Sequence, residues 1–204
     1  VPSNARKLVV TCIGSGGAGG SADGGSSQMG CGAGGGGAGM CVKEYDVSGG
    51  ESIAVTVGAA GAPGSTGNNA GGNGNVTEFD TGALLATKMS AKGGTGGGSV
   101  GAAGTSVVFS MGGAGAVVAT GGDLNMGGQP GLMAKRESGT VGWSGAGAPG
   151  PLGGGGGVGQ AAGSADGNSA TNYGAGGGGA MSNNTTDRAG GAGSQGVIFI
   201  QVYS

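Results

Sequence analysis

Histidine is absent from this 204-residue chain, aromatic residues make up only 3% of it and charged residues 9%. Each shortage excludes something. Without histidine, the common Ser-His and Cys-His nucleophile systems and the commonest transition-metal ligand are missing. With so few aromatics there is little large apolar surface to bury, so any core must be thin. There are five prolines, and the glycine runs GGAGG, GAGGGGAG, GGGGGVG and GAGGGGA lack a strict triplet register, which sets a collagen helix aside. The net charge is −2, and no cationic cluster exceeds the pair Lys135-Arg136. The electrostatic footprint needed for nucleic acid or an anionic membrane is therefore missing. The longest apolar stretches, 8–13 and 197–202, are far short of a bilayer span, so no membrane insertion is expected. No charged leader opens the chain at Val1, which leaves open a missing leader or a larger missing N-terminal part.

What the chain has is glycine, 61 residues of it, set between short runs of strand formers. Low charge and discrete Val/Ile/Leu runs argue against disorder. Arg6 to Ile13 reads as a strand that stops at Gly14. Met40–Val47, the turn Ser48–Glu51 and Ser52–Val57, with Ile53, Val55 and Val57 on one face, predict a β-hairpin. Asn75–Phe79, a Thr-Gly turn and Ala83–Met89 predict a second. Ser106–Ser110 and Ala114–Thr120 are weaker strands, and Val197–Tyr203 is a strong closing one. Between them the glycine tracts cannot be held by apolar burial, yet ordering a residue costs about 1–2 kcal/mol and glycine is at the upper end. Backbone hydrogen bonding between closely approaching extended left-handed segments is what can offset this. Turn signals at Asp23-Gly24, Ala62-Pro63-Gly64, Asn73-Gly74, Ala148-Pro149-Gly150 and Asp166-Gly167 fold such segments back on one another. The expected fold is all-β with essentially no α-helix: a small β-sandwich or hairpin framework with long glycine-rich arms, packed in layers as polyglycine-II helices. It forms a single glycine-rich domain over 1–204, with a hairpin-rich part (1–92), glycine-rich arms and loops (93–196) and a closing strand (197–204).

Chemical motifs are sparse. Gly14-Ser-Gly16-Gly-Ala-Gly19 matches the dinucleotide pattern G-x-G-x-x-G, but no helix is expected after it to receive a phosphate, and no Gly-Lys dipeptide exists for a Walker loop. Glu44/Asp46 and Glu78/Asp80 lie two apart on strands, a spacing that suits Ca²⁺ or acid–base work and equally a solvated strand face. Asn75-Val-Thr77, Asn183-Asn-Thr185 and Asn184-Thr-Thr186 have the form of glycosylation acceptors. No catalytic residue, metal ligand or cofactor is predicted. Cys12, Cys31 and Cys41 match no zinc or redox spacing. A disulfide between Cys31 and Cys41 is one possibility; Cys12 and Cys41, each in a strand, are buried thiols or partners, and for Cys12 the buried thiol is expected. The candidate binding residues are Trp143, Lys135, Arg136 and Tyr173, with Met126 and Met133, because aromatic and Arg side chains on a rigid scaffold are the usual anchors of recognition.

The opening Val1-Pro2-Ser-Asn-Ala-Arg-Lys-Leu-Val-Val-Thr-Cys-Ile-Gly-Ser-Gly-Gly17, the close Thr56-Val57-Gly58-Ala-Ala-Gly61 and the final Gly196-Val-Ile-Phe-Ile-Gln-Val-Tyr203 together resemble the glycine-rich domains of bacteriophage tail-fibre and tail proteins. That resemblance implies a virion protein at a fibre tip or tail surface, extracellular when mature, with polyglycine helices displaying receptor-binding loops. It carries no ligand residues to transfer. The cysteines and the 123–143 stretch depart from many relatives and leave the receptor open.

The leading expectation is a non-enzymatic tail-fibre tip or adhesin-like module. It would bind a host cell-surface glycan or outer-membrane protein, contact other virion proteins and form a homotrimer. A purely structural fibre or decoration protein is the alternative. An ice-binding protein is a third reading, although the irregular tracts lack the regular spacing that role requires.

Overall fold

The computed structural model describes residues 1–204 except 27, 81–84, 86, 103, 105, 154, 158 and 160–162. Its short strands, in chain order, are β1 (Lys7–Ile13), β2 (Gly30–Gly32), β3 (Met40–Asp46), β4 (Val55–Thr56), β5 (Thr77–Phe79), β6 (Met89–Ala91), β7 (Ser99–Val100), β8 (Val108–Ser110), β9 (Leu124–Met126), β10 (Ala134–Arg136), β11 (Gly142–Trp143), β12 (Met181–Ser182) and β13 (Val197–Tyr203). Among the described residues there is no helix. The strands form four small antiparallel sheets, ordered β13-β1-β3-β9, β4-β5-β6, β12-β2-β7 and β11-β10-β8.

Between the sheets run glycine segments that obey a period of three. In segment 14–22, Gly14, Gly17 and Gly20 donate to the carbonyls of Gly39, Gly36 and Ala33. The next row, Ser15, Ala18 and Ser21, donates to Asn75, Gly72 and Asn69. The third row, Gly16, Gly19 and Ala22, donates to Ser194, Gly191 and Arg188. Successive N–H groups thus point to three different neighbours and every third returns to the first, as three residues per turn without internal bonds requires. None of these glycines has a positive φ, so the segment is of the left-handed polyproline or polyglycine type. Its carbonyls accept from three further segments, through Gly61 and Gly64, Gly94 and Gly97, and Gly177 and Ala180. Neighbours that accept run antiparallel to it and those that donate run parallel.

Segment 14–22 is consequently ringed by six others, and the ring closes on itself: 33–39, 92–98, 69–75, 58–64, 188–194 and 174–180 are each bonded to the next. Segment 32–39 repeats the pattern. It donates to 174–180, 92–98 and 129–132 and accepts from 14–20, 113–116 and 145–148. The layered polyglycine arrangement expected from the tracts is therefore present, as a hexagonal bundle.

One end of this bundle is a small sandwich. β1, β4 and β6 lead into glycine segments there, and β3, β5 and β13 follow them. The β13-β1-β3-β9 sheet packs on β4-β5-β6 through Leu8, Val10 and Cys12 of β1, Cys41 and Tyr45 of β3, and Phe79, Met89 and Ala91. Tyr45 and Phe79 meet across the layers with ring centroids 5.5 Å apart, and the Tyr45 hydroxyl donates to the Thr87 carbonyl at 2.6 Å. Alternation along β1 explains this face: Leu8, Val10 and Cys12 are buried while Lys7, Val9 and Thr11 are only partly covered. The opposite end carries β12-β2-β7 and β11-β10-β8 over a second core of Met29, Cys31, Ala33, Ala134 and Met181. At about 3.1 Å per residue, the nine residues of 14–22 separate base from tip by about 25 Å.

The first expected hairpin is corrected by the structure. β3 has both edges occupied, by β1 and β9, while 52–57 contributes only β4, which pairs with β5 in the facing sheet. The physical reason is competition for the edge: β9 pairs with β3, and the chain after the Gly49-Gly50 turn bonds instead to the N-terminus, with the Gly50 N–H donating to the Val1 carbonyl and the Val1 amino group to the Glu51 carbonyl. β5 and β6 do pair antiparallel; of the expected second arm, Leu85, Thr87 and Lys88 are outside any strand and Met89 opens β6, while 83, 84 and 86 lie outside the described residues. Ala114–Thr120 is no strand; its start joins the bundle, where Ala114 accepts from Thr95 and Ala116 donates to Gly37.

A methyl group at Gly17 would overlap the Thr95 carbonyl, and one at Gly35 the Gly17 carbonyl, whereas the space around Gly50 is open. Gly17→Ala and Gly35→Ala are each expected to cost more than ~2 kcal/mol, since backbone cannot yield as a side chain would. Gly50→Ala should cost only about 1 kcal/mol, the strain of its left-handed conformation. Urea midpoints of the three variants check the ranking. Hydrogen exchange provides the second check: amides of 174–181 should exchange much more slowly than those of the 183–187 loop.

Candidate functional site

The sheet β11-β10-β8 at the tip places two of the four candidate binding residues side by side. Lys135 on β10 lies opposite Trp143 on β11 and opposite Phe109 on β8. Its ammonium sits 5.3 Å from the Trp143 ring centroid and 5.8 Å from that of Phe109, close enough for cation–π attraction on both sides. Trp143 is 40% and Phe109 56% exposed. Glu137 approaches Lys135 loosely, at 3.7 Å. Met111, Met133 and Val141 are exposed as well, so the row lies within a broad apolar surface.

A shallow pocket of about 270 Å³ opens beside Trp143, lined by Met29, Thr140, Val141, Gly142, Gly163 and Asn183. Its polar wall is fixed by local bonds. The Ser164 hydroxyl donates to the Asn183 side-chain oxygen at 2.9 Å, and the Asn183 N–H donates to Ser164 Oγ at 2.9 Å. The turn 138–141 is held by N–H groups of Thr140 and Val141 that donate to Ser138 Oγ. A flat aromatic surface beside a small recess with apolar walls and a polar edge at Thr140 and Asn183 can take a ring with an apolar face and polar edges.

The other two candidates lie elsewhere. Arg136 is only 4% exposed; it points to the inner side of the sheet, where it donates to the carbonyls of Gly101 at 2.6 Å and Ser106 at 3.1 Å. It ties β10 to the loop before β8 and presents nothing outward. Tyr173 belongs to the base end, where its ring meets that of Phe199 edge-on at 6.2 Å. Met126 is also at the base, on β9 beside Met40. Phe109 is a site residue that the sequence did not single out: alternation in Val107-Val-Phe-Ser110 would turn the Phe inward and the Ser outward, the reverse of what the structure shows.

The cysteines are all free and buried. A Cys31–Cys41 bridge is ruled out by the arrangement, because Cys31 packs in the tip core and Cys41 in the base core. Cys31 is held in β2 rather than in a loose tract, with its thiol donating to the Lys135 carbonyl at 3.6 Å, and burial pushes its pKa up to about 11.

The motif Gly14–Gly19 has no amide left for a phosphate, since every N–H in it donates to a neighbouring segment. Three of the four paired carboxylates are likewise engaged: Glu44 with Lys7 at 2.7 Å and Glu78 with Lys88 at 2.9 Å, while Asp80 is buried and accepts from the Leu85 N–H at 2.6 Å; Asp46 lies at the exposed end of β3. Asp123 accepts from the Glu44 N–H and from Lys43, and these bonds, the backbone one first, hold its carboxyl below the usual range. Among the described residues no group of three His, Cys, Asp or Glu side chains converges.

Fold and site together define an all-β, glycine-segment scaffold with an exposed aromatic face at one end. Comparison with protein families agrees with this architecture: the model of a family described as a glycine-rich domain matches residues 1–203, and the chain belongs to that family. No curated protein matches it.

Because Arg136 is a buried, doubly bonded cation, Arg136→Met is expected to cost about 2–3 kcal/mol of stability. Lys135→Gln, at the surface, should change stability by less than about 1 kcal/mol. Denaturant unfolding of both variants distinguishes the supporting residue from the displayed one.

Proposed function

We propose that this chain is a non-enzymatic bacteriophage virion protein, a tail-fibre tip whose far end binds a host cell-surface glycan or outer-membrane protein. The observation that carries the reading is the exposed row Phe109–Lys135–Trp143 at the end of the bundle remote from both chain termini. Val1 bonds to the Glu51 carbonyl at the base, and β13 ends there too, so a fibre joined at either terminus would leave the aromatic face free. Exposed aromatics on a stiff support are effective anchors, because few rotamers are lost on binding. The hydrogen-bonded bundle provides the stiffness. The tail-protein resemblance of the opening strand, the Thr56–Gly61 close and the final strand supports the virion setting.

A structural fibre or decoration protein is the second reading. It draws on β13, an edge strand whose Phe199, Ile200, Val202 and Tyr203 are exposed and which neighbouring copies, in a trimer or a repeating array, would cover.

Labelled protein applied to a panel of bacterial strains tests the first reading. Binding to at least one strain is expected, and Trp143→Ala combined with Phe109→Ala should reduce it at least tenfold, the scale of hot-spot losses. Tyr173→Ala should leave it unchanged. Equal binding after the double substitution removes this face from attachment. Absence of binding to any strain, with antibody labelling along a shaft or shell, favours the structural reading.

A further inference from the structure

Cys12 and Cys41 stand directly opposite each other on β1 and β3. Both side chains enter the base core, and both are fully buried. The surrounding backbone bonds establish the type of pair. The Val47 N–H donates to Arg6 and the Gly14 N–H to Gly39; alternation inward from either end makes 12 with 41 a hydrogen-bonded pair. Such pairs hold their Cα atoms about 5.5 Å apart, inside the roughly 4.4–6.8 Å that a disulfide spans. The two thiols therefore face each other within one core. In the closed sheet their interaction raises the Cys12 pKa and lowers that of Cys41.

We propose that Cys12 and Cys41 close into a cross-strand disulfide under oxidising conditions, locking β1 to β3 while Cys31 remains a free thiol. With oxidised glutathione as oxidant, the Cys41 thiolate attacks one glutathione sulfur, forms a mixed disulfide and releases one glutathione, which takes up the Cys41 proton. Cys12 then attacks the Cys41 sulfur and expels the second glutathione, which takes up the Cys12 proton. Two protein thiols are oxidised to one disulfide, and one oxidised glutathione is reduced to two thiols. Burial confines this exchange to the time when the sheet forms or opens and afterwards shields the bond from reductant. The proposal does not depend on what the tip binds.

The test is refolding of the reduced, denatured full chain in glutathione buffers of increasing oxidising ratio, followed by alkylation and peptide mapping by mass spectrometry. One alkylated cysteine, Cys31, and a linked peptide joining Cys12 to Cys41 are expected, and Cys31→Ser should retain the link. The oxidised monomer should melt roughly 5–15 °C above the reduced one, as expected for closing a loop of this length in a chain of this size. A folded protein with three alkylated cysteines at every ratio, a link that includes Cys31, or an unchanged melting temperature overturns the proposal.

Discussion

Everything in this molecule depends on backbone N–H groups reaching carbonyls of neighbouring segments at a separation that leaves no room for a side chain. Along 14–22 and 32–39 each successive amide turns to a different neighbour, so a central segment has no free face on which a large residue would be harmless. Glycine is thus imposed by geometry at most of these positions, with Ala and Ser tolerated where the neighbours are less close. The same constraint removes apolar burial as the main source of cohesion in the middle of the molecule. What replaces it is saturation of nearly every polar backbone group, which carries a penalty of about 1–3 kcal/mol for each buried partner left unmatched.

Such a bundle does not choose its own register, because a glycine backbone offers the same donors and acceptors at every step. The two small sandwiches supply that choice. At the base, Leu8, Val10, Tyr45 and Phe79 lock the order of six segment ends; at the tip, Met29, Cys31 and Met181 do the same on a smaller scale. Arg136 adds a polar tie between β10 and the preceding loop. The large side chains are therefore concentrated at the two ends, and the glycine-rich middle acts as a stiff spacer that holds the tip face away from the base.

The candidate site was only partly legible in the sequence. Trp143 and Lys135 stand out as rare side chains in a glycine-rich chain, but their adjacency is a cross-strand relation. Arg136 follows Lys135 in sequence and therefore faces the opposite side of the same strand; the alternation of a β-strand is enough to give the two residues different roles. Phe109 required the pairing of β8 with β10. Tyr173 lies before the segment 174–181, whose length carries the chain from base to tip, so its sequence proximity to the tip loops says nothing about spatial proximity. The failed hairpin has a similar cause: the Ser48–Glu51 turn is compatible with a return, but β9 arrives from about 80 residues later in the chain and takes the edge that β4 would have used.

By itself, the sequence determined the all-β character, the thin core, the strands that bracket the chain and the need for glycine segments to be held by their backbones. It also contained a trace of the period in Gly16-Gly-Ala-Gly-Gly-Ser21, where two glycines and a small residue repeat. Tertiary structure alone decided which segments are neighbours, which strands share a sheet, which cysteines face each other and which side of β10 is displayed. The reason is physical: side chains carry the information that distinguishes one partner from another, and glycine has none. The identity of each neighbour is therefore set at the ends of the segments, by sheets whose register depends on residues far apart in the chain.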